Sequence, residues 1–330
     1  MKILHTGLLF LLSIFFGTII FIYVGNTIGW DFILNSFSIF LNLEGLIVIF
    51  LSFLIAFIGA LRWKGIIKKN ISLFDVFKIY TAGFSIQYFF PMILFGSEAF
   101  RASFLEHKKK VGWDKALSSV IIERIIEWTV NTLIIVIGIL YFFYKIKEPS
   151  ESLAFIFSIS VVLILIILVL VYIYVFKKNS FVRKILLKIN KKDLKESVAI
   201  KTEKIVFEYF NLRNVDLWKG YFLSFLKVFV MLLRVWFIVL ILNSAISFMP
   251  SLSILSFSFL VTMVPIPTAL GVQELIQSFV FDNLNISLGV SSSFSMILRA
   301  GDIIVSLFGF ILFFKVGFDF LKNKICKNEE

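Results

Sequence analysis

Three ionisable side chains stand within five residues of an otherwise apolar stretch, SVIIERIIEWTV (119–130). They are Glu123, Arg124 and Glu127. A spacing of four residues puts Glu123 and Glu127 on one stripe of a helix, with Arg124 beside it. A charged group at the centre of a bilayer costs roughly 2.5–3.5 kcal/mol on insertion scales, so a membrane helix rarely carries one without a function.

A second set of residues repeats this pattern near the end of the chain. In both sets a proline precedes a glutamate by seven residues, and an arginine precedes an acid by three. The interval from that glutamate to the arginine is 26 residues in the first set and 25 in the second. The matched residues are Pro91, Glu98, Arg124 and Glu127, then Pro267, Glu274, Arg299 and Asp302. Three matching intervals in the same order indicate a duplicated unit.

Both sets contain the residue types that recognise phosphate. Arginine binds phosphate through two parallel hydrogen bonds and does not lose its proton in proteins. The carboxylates could orient the arginines, meet a cationic headgroup or bond sugar hydroxyls. The candidate substrate-binding residues are Glu98, Arg101, Glu123, Arg124, Glu127, Glu274, Arg299 and Asp302. The alternative interpretation is that the charged pairs only hold helices together.

The composition indicates where these residues lie. Of the 330 residues, 59% are hydrophobic and only 16% are charged, which leaves too few polar residues to coat a soluble protein of this size. The mean hydropathy of +0.97 agrees. The sequence therefore predicts an all-α polytopic membrane protein, with residues 1–330 forming a single integral-membrane domain.

Apolar runs long enough to cross a bilayer predict six full spans. They are 7–25, 44–62, 117–143, 152–176, 220–247 and 294–318. Two further apolar stretches, 74–105 and 251–288, are broken by proline and glycine, which interrupt helices. The first has a length of about 48 Å as a helix, whereas two crossings need about 60 Å. We therefore expect two re-entrant helical hairpins.

Each hairpin with its following span forms a repeat unit, at about 74–143 and 251–318. Lysine and arginine mark cytoplasmic loops, and they place the first hairpin on the inside and the second on the outside. The units are thus predicted to be inverted relative to each other, as in transporters whose substrate site lies between the repeats. The same charges predict a basic cytoplasmic segment at 177–219, both termini in the cytoplasm, and the cell membrane as the location.

The remaining residues narrow the function. The net charge of +12 comes from basic residues between apolar runs, which favours a membrane surface and no nucleic acid as the partner. No catalytic motif, metal site or nucleotide loop is present in the sequence, so no enzyme activity and no cofactor are expected. Arg62 and Trp63 are expected to anchor a span at the interface. Lys227 is expected to extend to the interface, and Arg234 to contribute to the polar cavity.

Four segments resemble a known family. The stretch PMILFGSEAFRASFLEHKKKVGWDKALSSVIIERIIEWTVNTLIIVIG resembles the transmembrane region of the lysylphosphatidylglycerol synthase, flippase-like family. VPIPTALGVQELI is similar to the second hairpin of that family, LRAGDIIVSLFG to its last arginine-bearing span, and ALRWKGII to the end of an early span. This sequence departs from the family at Thr268 and Ala269, where glycine is often found.

The resemblance implies a membrane domain with two inverted hairpin units that translocates lipids. Members are linked to aminoacylated phosphatidylglycerol or to polyprenyl-phosphate sugars. The positions that match the family are Glu98, Arg101, Glu123, Arg124, Glu274 and Arg299. The soluble domain that transfers the aminoacyl group is not recognised in this sequence, so synthesis of lysyl-lipid is not expected.

The leading hypothesis is a flippase-like transporter that moves a phosphate-bearing lipid between leaflets. Its expected partners are membrane lipids with an anionic headgroup and an enzyme of lipid synthesis or a glycosyltransferase. Two alternatives stay open: a secondary transporter of a small anion, and a non-transporting membrane partner of a glycosyltransferase.

Overall fold

A computed structural model describes most of the chain. The described residues are 22, 26, 37–91, 95–146, 151–178, 180, 197–242, 247–263, 266 and 269–326. Nearly all of the predicted span 7–25 lies outside them, as do Pro265, Pro267 and Thr268. The described residues are all-helical and contain no strand, which confirms the predicted class.

In the described part of the chain, ten α-helices follow a short 3-10 turn at Phe37–Leu41. They are α1 (Leu43–Ile67), α2 (Leu73–Phe89), α3 (Gly96–Lys109), α4 (Trp113–Lys145), α5 (Glu151–Lys177), α6 (Val198–Tyr209), α7 (Val215–Ile241), α8 (Phe248–Val261), α9 (Val272–Asn283) and α10 (Leu288–Cys326).

Five of these helices are long and apolar enough to cross a membrane. They are α1, α4, α5 from Ser158, α7, and α10 as far as Phe314, with mean hydropathies between 1.9 and 3.2. Each coincides with a predicted span, because an uninterrupted apolar run of this length buries its backbone polar groups in helical hydrogen bonds. The structure therefore supports a multi-pass membrane protein.

The four helices on either side of the two predicted interruptions are short. Helix α2 ends at Phe89 and α3 begins at Gly96; α8 ends at Val261 and α9 begins at Val272. These helices have 17, 14, 14 and 12 residues, or about 18–26 Å, which is shorter than a bilayer core of about 30 Å. The breaks in both stretches are thus confirmed.

The first helix of each broken segment packs on the long helix that follows the other broken segment. Helix α2 lies along α10, and α8 lies along α4. At both crossings a glycine brings the backbones together, because a β-carbon on Gly309 would overlap α2 and one on Gly138 would overlap α8. Serine hydroxyls then bond the facing backbone, from Ser85 to Ser306 O at 2.6 Å and from Ser253 to Gly138 O at 2.8 Å. Small residues at close helix contacts are typical of membrane bundles.

The second helix of each broken segment packs on the long helix that follows it, α3 on α4 and α9 on α10. Helix α1 packs along α7 and completes the bundle. Helix α6, in the basic segment 177–219, lies against α4, and α5 stays at the periphery, with 6% of its apolar window buried. Helices α1, α3, α4, α7, α9 and α10 therefore position the charged residues.

Candidate functional site

The structure gathers the charged residues into two clusters. We call the first the α4 cluster; it contains Arg62, Glu98, Arg101, Glu123, Arg124, Glu127 and Lys227. We call the second the α10 cluster; it contains Arg234, Glu274, Arg299 and Asp302. Five of the eight predicted residues lie in the first cluster and three in the second.

The centre of the α4 cluster is Glu123, which is fully buried. Its two carboxylate oxygens accept hydrogen bonds from different helices, one from Arg62 on α1 and the other from Arg101 on α3, the latter at 3.1 Å. Arg62 also donates to the hydroxyl of Ser224 on α7 at 2.8 Å. One acid on α4 therefore joins two other helices, which explains why an apolar helix retains it.

The exposed edge of the α4 cluster is Arg124, whose side chain is 21% exposed. Its Nε bonds the carboxylate of Glu98, and its Nη1 lies 3.3 Å from Glu127 Oε2. Its Nη2 donates to the amide oxygen of Gln87 at 2.5 Å. Glu98 is 20% exposed, so Arg124 and Glu98 form the accessible side of the cluster, whereas Glu123 is closed off.

Two residues in this cluster contradict their sequence interpretation. Arg62 is not an interfacial anchor, because its side chain is 1% exposed and paired with Glu123. Lys227 does not extend to the interface, because its Nζ bonds Glu127 and lies 3.3 Å from the Tyr80 hydroxyl. Both predictions assumed that a basic residue near the end of an apolar run extends into water, whereas burial beside a carboxylate offers an alternative.

Aromatic rings cover the buried arginine of α3. The guanidinium carbon of Arg101 lies 5.0 Å from the centre of the Trp63 ring and 5.5 Å from that of Tyr80. Both distances permit cation–π attraction. Trp63 is itself fixed by a hydrogen bond from its Nε1 to Ser119 at 3.2 Å. Trp63 is fully buried, so like Arg62 it is not the interfacial anchor that the sequence predicted.

The α10 cluster is simpler. Arg299 Nη2 lies 2.7 Å from one oxygen of Glu274 and 2.5 Å from the other, and it also donates to Ala269 O at 3.4 Å. Glu274 is fully buried. Asp302 accepts from Arg234 at 2.6 Å rather than forming the pair with Arg299 that the three-residue spacing suggested, and its side chain is 27% exposed.

A glutamate–arginine pair is common to both clusters. The glutamate at the start of the second short helix pairs with the arginine of the following long helix, Glu98 with Arg124 and Glu274 with Arg299. These are the glutamate–arginine intervals of 26 and 25 residues that the sequence repeats. The structure therefore brings together the residues that the repeated interval singled out.

The last turn of α2 lies between the two clusters. Gln87 bonds Arg124, and Tyr88 is close enough to Asp302 and Arg299 to interact with them electrostatically. The sequence interpretation missed both residues as well as the roles of Arg62 and Lys227. One signal was present: Lys227 and Arg234 lie seven residues apart on one face of α7, and each joins a different cluster.

Long apolar helices around two buried ionic clusters define a multi-pass helical membrane protein with a polar interior. The family model described as Lysylphosphatidylglycerol synthase TM region matches residues 10–311, and the chain belongs to that family. The resemblance predicted from the motifs is thus confirmed. No curated protein and no solved structure gives a match to the chain.

Proposed function

We propose that the protein is a flippase-like transporter that moves a phosphate-bearing lipid between the two leaflets. The lipid is an aminoacyl-phospholipid or a polyprenyl-phosphate sugar. Its headgroup passes through the polar interior between the broken segments, while its acyl chains stay in the bilayer. The family points to a membrane function related to lipids, and the two clusters supply the groups that would meet the headgroup.

The observation that carries this proposal is the charge of the α4 cluster. Four cations face three carboxylates there, which leaves an excess of one positive charge among the described residues. An uncompensated charge is costly inside a membrane protein, and a phosphodiester would neutralise it. Arg124, on the exposed side, offers the planar donor group that phosphate prefers.

Spare hydrogen-bond donors support the same interpretation. In the described part of the chain, the buried Nε groups of Arg62, Arg101 and Arg234 have no acceptor. Buried donors in proteins nearly always have a partner, so water or a ligand group would complete the hydrogen bonding of these three arginines. The clusters therefore retain binding capacity beyond their internal ion pairs.

We infer that α2–α3 and α8–α9 are re-entrant hairpins that belong to inverted repeats. Their short helices, their breaks and the crosswise packing on α10 and α4 support this arrangement. With six full crossings, both termini lie in the cytoplasm and the two clusters face opposite leaflets. Arg124 and Arg299 then bind the phosphate alternately as the units rock. The protein acts as a transporter of the cell membrane rather than as an enzyme, and a lipid-synthesising enzyme or glycosyltransferase supplies its substrate.

Lipid translocation in liposomes tests this function. The full chain is reconstituted with fluorescently labelled phosphatidylglycerol, and the label in the outer leaflet is reduced chemically over time. We expect Arg124→Gln and Arg299→Gln each to lower the translocation rate at least about tenfold, because each removes a charged donor to the phosphate. Arg213→Gln, at an exposed position in the α6–α7 loop, is the matched control and should leave the rate unchanged.

Wild-type rates in both cluster variants would rule out the mechanism. The almost complete burial of Arg62, Arg101 and Glu123 favours the structural alternative, in which the ion pairs only join helices of a non-transporting partner. Uptake of labelled inorganic phosphate without lipid movement would instead support the small-anion transporter.

A further inference from the structure

Each of the three nitrogens of the Arg124 guanidinium bonds an acceptor from the protein itself, which engages three of its five N–H groups. Two of the acceptors, Glu98 and Glu127, are carboxylates, and the third is the neutral amide oxygen of Gln87, 2.5 Å from Nη2. A phosphate that approaches the Nη2 edge of Arg124 therefore competes with Gln87.

Gln87 is the acceptor that an incoming anion replaces most easily. A hydrogen bond from a guanidinium to a carboxylate is charged at both ends, whereas the bond to an amide oxygen is charged at one end only and is weaker. Glu127 is also held by Lys227, so its displacement would break a second ion pair. Gln87 is exposed, whereas Glu127 is buried.

We propose that the amide oxygen of Gln87 occupies the place of a phosphate oxygen on Arg124 and that the headgroup displaces it on binding. This inference rests on the proposed function and adds a specificity-determining residue to it. Gln87 is a built-in competitor: a neutral ligand oxygen gains nothing over the amide, whereas an anionic oxygen gains a charged hydrogen bond. The α4 cluster thereby admits phosphate-bearing lipids and rejects uncharged ones.

The position of Gln87 agrees with this role. It lies in the last turn of α2, two residues before the helix ends at Phe89, and Pro91 follows. Because α2 ends here, the Gln87 side chain can rotate away from Arg124 without disturbing a following helical turn. Its release requires no change in the buried pairs of Glu123.

Binding of a short-chain lipid to the detergent-solubilised full chain tests the proposal. Dihexanoyl-phosphatidylglycerol is titrated, and its dissociation constant is taken from the rise in unfolding temperature. We expect Gln87→Leu to tighten binding about fivefold, because the competing hydrogen bond is gone. We expect Gln87→Glu to weaken it about tenfold or more, because a carboxylate then holds Arg124 with a charged bond.

The matched control is Asn42→Leu, which also replaces an exposed amide by leucine and makes no capping bond in the wild type. It lies about 30 Å along α1 from Arg62 and should not change the dissociation constant. The uncharged lipid dihexanoylglycerol should raise the unfolding temperature only slightly, and by the same amount in the wild type and in Gln87→Glu.

A Gln87→Leu variant that binds the lipid as the wild type does, or more weakly, overturns the proposal, since Gln87 would then be no competitor. Arg124→Gln separates this failure from that of the proposed function. If Arg124→Gln leaves lipid binding unchanged, the α4 cluster is not the headgroup site and both proposals fail. If it abolishes binding while Gln87→Leu has no effect, only the competitor role fails. Parallel titration with inorganic phosphate shows whether the acyl chains are needed.

Discussion

The α4 cluster and the α10 cluster share two ion pairs and differ in the residues around them. Both contain a glutamate–arginine pair between a short helix and the next long helix. In both, the acid three residues after that arginine pairs with a basic residue of α7, Glu127 with Lys227 and Asp302 with Arg234. The α4 cluster adds Arg62, Arg101 and Glu123 and has an excess of one positive charge, whereas the α10 cluster is balanced among the described residues. The common pairs therefore define the scaffold, and the added residues give the α4 cluster its own electrostatic character.

The largest loss of stability is expected from a substitution at the centre of the α4 cluster. Glu123→Gln leaves Arg62 and Arg101 buried without their carboxylate, and we expect the free energy of unfolding to fall by about 3–5 kcal/mol. Chemical or thermal unfolding in detergent measures this. Glu98→Gln, at the 20% exposed side of the same cluster, is the control and should cost clearly less. Equal losses in the two variants would mean that burial does not distinguish centre from edge.

In the balanced α10 cluster, Glu274 and Arg299 should behave energetically as an isolated ion pair. We expect a double-mutant cycle of Glu274→Gln and Arg299→Gln to give a coupling energy of about 2–3 kcal/mol, because Glu274 is fully buried and has Arg299 as its ion-pair partner. The double variant should then be more stable than the sum of the single losses predicts. Additive losses would show that the two residues do not act as a pair.

Because α2 packs on α10 and α8 packs on α4 in the same way, we expect the two contacts to respond alike to a substitution of their glycine. Gly138→Ala and Gly309→Ala should each destabilise the protein by about 1–3 kcal/mol, because each new β-carbon meets a packed helix. Gly65→Ala in α1 is the control, since a β-carbon there has no neighbour within 4 Å. Thermal unfolding of the three variants decides the point. A loss at one crossing only would contradict equivalent packing of the two broken segments.

The smallest effect is expected for an ion pair outside both clusters. Lys109 Nζ lies 2.5 Å from Asp75, and the two side chains are 28% and 35% exposed. Asp75→Asn should lower the free energy of unfolding by at most about 1 kcal/mol, because solvent screens the pair. A loss comparable to that of Glu123→Gln would show that the clusters gain nothing special from their burial.

Much of the fold could be predicted because its causes are local. Five described spans coincide with predicted ones, since the length of an apolar run decides whether it can cross a bilayer. The eight predicted site residues lie in the two clusters for a similar reason: a charge in an apolar helix is costly and stands out. The breaks between α2 and α3 and between α8 and α9 were marked by proline and glycine.

The partners of these residues could not be predicted, because they depend on how distant helices turn toward each other. Arg62 and Glu123 are 61 residues apart, and Lys227 and Glu127 are 100 apart. The basic sequence around Arg62 resembled an interfacial anchor, and only the packing of α1 on α4 shows otherwise. The three-residue spacing likewise suggested that Asp302 pairs with Arg299, whereas α7 places Arg234 closer to it.

The last turn of α2 has a consequence for the whole molecule. Gln87 and Tyr88 are consecutive, so their α-carbons are about 3.8 Å apart, yet one side chain bonds Arg124 and the other senses Asp302 and Arg299. If this turn rotated to free Arg124, Tyr88 would reorient with it, and binding at one cluster would then alter the electrostatic potential at the other. By thermodynamic linkage the reverse effect would have equal strength.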